Sequence, residues 1–303
     1  MYTYKSAGAR IEIFLKGYSV MTMPIEQNGK KIRIYSLLAL AFAFVAVVLR
    51  TFCLLWFYDK DIGYYTKDVL PVLFVVVCVL AVAFFLSAVL VVKPCGGALY
   101  GKNGNPAIKI ASAIASVFFA VFFVSLVTST SIATENVVFD LALKISSLMS
   151  IVYFAMNLFT PHTNRVAQTA IGFGIVVWGV CALAITYFDI YVQLNSPEKI
   201  ILHLALVSCL LFFVSEFRGF IGELKGKIYL FCAFCTAFFS ATSSIPYLIT
   251  YILGKASSDK YLLYNVVLFA LFVYSAASLL SFSFAPCAVA DADNIDEENA
   301  VNQ

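Results

Sequence analysis

Eight long apolar runs, each about as long as a membrane helix, constrain the fold of this chain more than any other feature of its sequence. They cover approximately residues 34–57, 69–92, 107–127, 138–160, 167–187, 200–216, 228–253 and 263–285. About 20 apolar residues in a helix cross the hydrocarbon core of a bilayer. Backbone groups in hydrocarbon must be bonded within their own segment, and these runs lack the alternation of a membrane barrel. The pattern therefore predicts an all-α, polytopic transmembrane bundle of about eight spans.

The amino-acid composition excludes a soluble fold, and the distribution of charge excludes one class of binding partner. Of the 303 residues, 62% are hydrophobic and only 12% are charged, and the mean hydropathy is +0.93. Soluble domains carry about 25% charged residues. The net charge of +3 is small and the Lys and Arg residues are scattered, which excludes a nucleic-acid partner. The predicted partner is the lipid bilayer, and no motif indicates a cofactor.

The distribution of Lys and Arg predicts an orientation. Thirteen of them fall on the side that holds the N-terminus and five on the opposite side. Positive residues favour the cytoplasm, so both termini are predicted to be cytoplasmic. The short loops and the lack of Asn-x-Ser/Thr acceptors favour a bacterial cytoplasmic (inner) membrane.

Three regions follow from this topology. Residues 1–32 form a basic N-terminal tail, which could contain a short interfacial helix, and residues 33–286 form the membrane domain. Residues 287–303 are acidic and are expected to be a disordered cytoplasmic tail.

Ionisable residues inside the apolar runs are the first candidates for a functional site. A charge at the bilayer centre costs about 2.5–3.5 kcal/mol, so such residues usually face a bundle interior or a wet cavity. Four of them fall in the outer half of their spans: Arg50, Asp140, Lys144 and His203. One interpretation is a cavity or ion path that these residues line. The other is structural, with Asp140 and Lys144 neutralising each other and Arg50 extending towards the interface.

Span four carries a polar stripe along one face. Asp140 and Lys144 are one turn apart, and the same arc continues with Ser147, Ser150 and Asn157. The stripe is expected to face the protein interior. The opposite face, assigned to lipid, holds Leu141, Leu148 and Tyr153.

Span seven contains a second polar feature at mid-depth. Ser240, Ser243 and Ser244 precede Pro246, and proline leaves the carbonyl one turn earlier without its helical donor. The pattern predicts a kink or a break in the helix. Transporters often build substrate sites at such interruptions, although membrane helices also tolerate proline without any function.

Other motifs favour structural roles. Cys232 and Cys235 form a C-x-x-C pair within an apolar span, with no second pair to complete a zinc site, and predict ordinary packing. Glu216 and Arg218 lie at the inner end of span six, where they are interpreted as interfacial anchors rather than catalytic groups. His162 and His203 are predicted at opposite membrane faces, so they cannot share a metal.

The leading functional hypothesis is a transporter-like or permease-like bundle for a small solute or ion. The alternative is a non-catalytic sensor, scaffold or assembly factor that acts through partner proteins or a homo-oligomer. An enzyme ranks third, because the sequence contains no H-E-x-x-H, G-x-S-x-G or comparable arrangement.

Overall fold

A computed structural model describes residues 5–59, 62–66, 69–92, 105–128, 137–159, 165–189, 192–193, 195–221, 225–254 and 261–284, with side chains of the first helix from residue 31. Eight helices lie in these ranges. They are α1 Lys5–Trp56, α2 Val69–Val91, α3 Pro106–Thr128, α4 Val137–Phe159, α5 Arg165–Phe188, α6 Pro197–Phe220, α7 Gly226–Ile252 and α8 Leu262–Phe284.

Each helix is long and apolar enough to cross a membrane, and in α1 the spanning part is Lys31–Trp56. The predicted all-α bundle of eight spans is therefore confirmed. We call the side on which α1 ends the distal side, and the side on which α2 ends the proximal side. Which of them faces the cytoplasm, and the division of the chain at residues 32 and 286, stay predictions.

A short hairpin connects α1 to α2 on the distal side. Strand β1, Tyr58–Asp59, pairs antiparallel with β2, Tyr64–Tyr65. Gly63 adopts a φ of 73° in the turn, a conformation that costs glycine little. The hairpin places the Tyr65 hydroxyl against the bundle, where it is buried.

Helices α3 to α8 form a closed ring, in which each helix packs on the next and α8 returns to α3. Helix α1 packs on the outside of this ring against α7 and α8, and α2 packs against α1 and α7. Helix α7 is therefore enclosed by α1, α2, α6 and α8. This position explains why nearly all of its residues from Tyr229 to Ser244 are buried.

Aromatic side chains fill the middle of the ring. Phe119 and Phe122 of α3 contact the buried Trp178 of α5, with ring centroids 5.2 and 5.7 Å apart. Phe154 of α4 contacts Tyr274 of α8 at 5.2 Å. Such pairs add about 0.5–1.5 kcal/mol each beyond the burial of their surface. The core of the ring is thus largely aromatic.

Candidate functional site

Asp140 and Lys144 pair with each other. The Lys144 Nζ donates to Asp140 Oδ2 at 2.7 Å, one turn along α4, and both side chains are partly exposed. The stripe below them is buried as expected, and Ser147 and Ser150 bond to carbonyls of their own helix. Leu141 and Leu148 are exposed on the other face. This geometry is that of the structural ion pair considered from the sequence.

His203 occupies a different place. Its Nε2 lies 3.1 Å from the Thr186 hydroxyl, which joins α6 to α5, and the side chain is only partly buried. Arg50, on α1, packs instead against α7. Among the described contacts of these four candidates, only Asp140 and Lys144 bond to each other, whereas Arg50 and His203 bond to other helices; a single cluster of the four stays a prediction. His162 falls outside the described residues.

Arg50 forms the distal polar centre together with α7. Its side chain is 1% exposed, and its Nη1 donates to the backbone carbonyl of Thr242. Thr242 lies one turn before Pro246, so this is the carbonyl that the proline leaves without a helical donor. The Arg50 guanidinium thus replaces the missing N–H. Helix α7 continues through Pro246 to Ile252, and the predicted break does not occur.

The serines before Pro246 are buried and bonded within the protein. Ser243 donates to the Asn265 side chain of α8 at 3.0 Å, and Ser244 donates to the Ser240 carbonyl at 2.6 Å. Ser240 Oγ lies 3.2 Å from the Cys209 thiol of α6. These contacts hold α7 to its neighbours at mid-depth. They use the hydroxyls that the sequence suggested as substrate contacts.

Two polar atoms of the distal centre have no hydrogen-bond partner among the described residues. They are Arg50 Nε and the Tyr65 hydroxyl, both fully buried. Burial raises the pKa of Tyr65, while the positive charge of Arg50 acts in the opposite direction and lowers it. Tyr65 and Arg50 therefore lie within hydrogen-bonding reach of each other, and the charge of Glu198 on α6 is near enough to act on Tyr65 as well. An orphaned buried donor costs about 1–3 kcal/mol, so this arrangement favours an additional acceptor.

Glu216 forms a proximal polar centre, and the interpretation of this residue as an interfacial anchor is wrong. Its side chain is 0% exposed. Its Oε1 accepts hydrogen bonds from the Tyr274 hydroxyl at 2.7 Å and from the Tyr153 hydroxyl at 3.1 Å. Tyr153 is likewise buried, not lipid-facing, because its hydroxyl reaches from α4 to α6. Arg218, two residues further, is exposed as an anchor should be.

A glycine on α5 makes room for this centre. A Cβ atom at Gly172 would lie 2.6 Å from Phe217 Cε1 and 2.8 Å from Tyr153 Cδ2. Real Cβ atoms do not approach other atoms so closely, so only glycine lets α5 come this near. The aromatic rings of Phe217 and Tyr153 stack edge to face with centroids 5.6 Å apart. The tyrosine is thereby fixed in the position from which it reaches Glu216.

The described cysteines are free thiols, and Cys232 and Cys235 are buried in α7. Among the described residues, no group of three or more His, Cys, Asp or Glu side chains is placed to hold a metal ion.

The comparisons with known proteins give no family. No protein-family model matches the chain, and neither a curated protein nor a solved structure is significantly similar to it. The fold and the buried polar groups define the class: a multi-pass integral membrane protein in contact with the lipid bilayer.

Proposed function

We propose that this protein is a transporter for a small solute, with a binding region on the distal side. The observation that supports the proposal is Arg50, a permanently charged side chain buried beside the proline of α7. A buried membrane charge is costly and usually marks a substrate or ion pathway. The charge also lies at a carbonyl freed by a proline, and transporters build ion and substrate sites from such carbonyls.

The chemistry of the distal centre favours a solute with a carboxylate or another anionic group. Arg50 Nε and the Tyr65 hydroxyl are two buried donors that lie near each other, and neither makes a well-formed hydrogen bond to a described residue. A guanidinium binds carboxylates and phosphates through paired N–H groups. The Tyr65 hydroxyl would supply a further donor, and the hairpin that carries it would border the site on the distal side.

A transport assay in proteoliposomes tests this proposal. The purified protein would be screened for uptake of radiolabelled small carboxylates, amino acids and inorganic anions against empty liposomes. We expect uptake of at least one carboxylate, and we expect Arg50→Gln to reduce it at least tenfold. Asp140→Asn is the matched control, because Asp140 pairs with its own helix and should leave uptake near the wild-type rate.

Two results would refute the proposal. One is a wild-type protein that moves nothing in the panel faster than empty liposomes. The other is Arg50→Gln protein that is monodisperse in detergent and transports at the wild-type rate.

A second candidate is a non-catalytic sensor, scaffold or assembly factor. It is favoured by the aromatic packing that fills the ring between the two polar centres, a rigid interior suited to a static platform. Such a protein would act through partner proteins or a second copy of itself. Deleting residues 289–303 discriminates between the candidates, since a transporter should keep its activity and a tail-dependent scaffold should lose its partner in a pull-down. Either function would fit a bacterial cytoplasmic membrane, which the short loops favour.

A further inference from the structure

The proximal centre has the features of a proton-binding site. Glu216 lies about 6 Å from the proximal end of α6, at 1.5 Å per residue, and its carboxyl group is fully enclosed. Carboxyl groups inside a membrane bundle are rare and often belong to proton relays. The groups around this carboxyl group indicate whether it binds a metal cation or a proton.

Hydrogen-bond donors point at the carboxyl group. Tyr153 and Tyr274 both direct their hydroxyl protons at Oε1. Two positive hydrogen atoms therefore occupy the space in which a metal cation would approach this oxygen. When a proton binds to Oε2, Oε1 becomes the carbonyl oxygen of a carboxylic acid and still accepts both bonds. The rings of Phe154 and Phe217 pack against the two tyrosines that bond to the carboxyl group, and Phe213 packs against Phe154.

Polar side chains lead from the proximal end of the bundle to this carboxyl group. Gln168, on the first turn of α5, donates from Nε2 to Asn157 Oδ1 on the last turn of α4. Asn157 is partly exposed, and its side chain lies in hydrogen-bonding contact with the Tyr153 hydroxyl, one turn away. Tyr153 donates to Glu216. This series of contacts gives the buried carboxyl group an approach from the proximal side.

Two further hydroxyl groups lie at the same depth inside the ring. Asn105 bonds to Ser281 at 2.9 Å and Phe118 contacts Phe269, which fixes the antiparallel register of α3 and α8. This register brings Ser112 level with Tyr274, and Ser278 is one turn from Tyr274 on the same face. Both serines are fully buried, and neither hydroxyl has a partner among the described residues. Such hydroxyls can bind the water that delivers a proton.

We propose that Glu216 takes up and releases a proton on the proximal side, and that this proton drives the movement of the solute. The proton comes from water at the proximal end, forms an O–H bond with Oε2 and changes the charge of the group from minus one to zero. The titratable groups around it are Tyr153 of α4, Tyr229 of α7 and Tyr274 of α8, with Arg218 exposed on α6 itself. The tyrosines keep their protons and hold the carboxyl group in place.

Infrared difference spectroscopy tests the proton binding without any substrate. Protein reconstituted in lipid would be taken from acidic to alkaline buffer, and the carbonyl stretch of carboxylic acids recorded. We expect a band that disappears on alkalinisation, shifts in heavy water and is absent from Glu216→Gln. The band should persist in Asp140→Asn, whose carboxyl group is paired with Lys144. In Tyr153→Phe and Tyr274→Phe it should move in frequency without being lost, which keeps the test decisive if Glu216→Gln does not fold.

A band unchanged in Glu216→Gln, or unaffected by both tyrosine substitutions, would overturn the assignment. The coupling rests on the proposed transport function, so a second measurement separates the two. Solute exchange at equal pH tests transport alone, whereas uptake driven by a pH gradient tests coupling. We expect Glu216→Gln to keep exchange and to lose at least 90% of the gradient-driven uptake. Loss of neither would refute the coupling, and absence of exchange in the wild type would refute the transport function.

Discussion

The interaction between Arg50 and the carbonyl that Pro246 exposes can be measured with a double-mutant cycle. The effect of Arg50→Met alone on the free energy of unfolding can have either sign. The substitution removes a hydrogen bond from a charged group, worth about 1.5–3 kcal/mol, but it also removes a buried charge that costs about 2.5–3.5 kcal/mol. These terms are of similar size and oppose each other. A single substitution therefore cannot reveal the contribution of the bond.

The cycle compares Arg50→Met in protein with Pro246 and in protein with Pro246→Ala. The cost of burying the Arg50 charge is the same in both backgrounds and cancels, so the difference reports the hydrogen bond. With Pro246 present, Arg50→Met leaves the Thr242 carbonyl without a donor, which costs about 1–3 kcal/mol. In Pro246→Ala protein, the introduced alanine supplies the N–H that helical geometry directs to Thr242. Arg50→Met should then be less destabilising by the same amount. We expect a coupling energy of about 1–3 kcal/mol.

The measurement is the free energy of unfolding of the four proteins in mixed micelles of dodecyl maltoside and SDS, followed by far-UV circular dichroism. A control cycle replaces Pro246→Ala with Thr236→Val, which lies about 9 Å along α7 from Thr242, the residue that Arg50 contacts, and which bonds to the Ser208 carbonyl instead. That cycle should be additive within about 0.5 kcal/mol. If the Pro246 cycle is equally additive, Arg50 does not replace the missing donor and the reasoning about the distal centre fails.

Three further predictions concern packing and the other candidate residues. Gly172→Ala should destabilise the protein by about 1–3 kcal/mol in the same unfolding assay, because the new methyl group overlaps Phe217 and Tyr153, whereas the lipid-facing Phe173→Ala should cost much less. Lys144→Met should lower the free energy of unfolding, and the exchange Asp140→Lys with Lys144→Asp should restore most of the loss, since the pair would form again; no recovery in the exchanged protein would contradict the ion pair. In protein carrying Cys78→Ser, Cys95→Ser and Cys287→Ser, maleimide should label the five remaining thiols slowly until SDS is added, and rapid labelling of the folded protein would contradict their burial.

The positions of the spans could be predicted from the sequence because they depend on local composition. Helix α1 begins at Lys5, well before its apolar run at residues 34–57. Every other described helix begins and ends within a few residues of its run, and the largest of these differences is in α6. The run was limited to 200–216, whereas the helix extends over Pro197–Phe220. Ser196 caps its first turn by accepting from the Lys199 N–H at 3.3 Å, and Pro197 occupies the first helical position. The run was ended where charged residues lower the hydropathy, but the helix continues through them and contains Glu198, Lys199 and Arg218.

The proximal centre could not be predicted, because it depends on contacts between distant parts of the chain and not on local composition. Glu216 was placed at a span end, where a carboxyl group is either solvated or buried according to what packs on it. The residues that bury it, Tyr153 and Tyr274, belong to helices 63 and 58 positions away in the sequence. One signal was present: two mid-span tyrosines and a glycine on α5 offered polar tips and room for close packing. The sequence did not show that these three features meet.

Helix α6 connects the two centres and explains why their effects should be separable. Glu198, whose charge acts on Tyr65 of the distal centre, and Glu216 are eighteen residues apart, which is five turns, so both lie on one buried face about 27 Å apart. The middle of that face holds Cys209 and Phe212, which contact Ser240 and Tyr229 of α7. No charged side chain on this face lies between the two glutamates, so no charged residue of α6 links Glu216 to the distal centre. Under the proposed function, substitutions at Arg50 should therefore reduce solute exchange at equal pH as well as uptake driven by a pH gradient. Substitutions at Glu216 should reduce only the gradient-driven uptake.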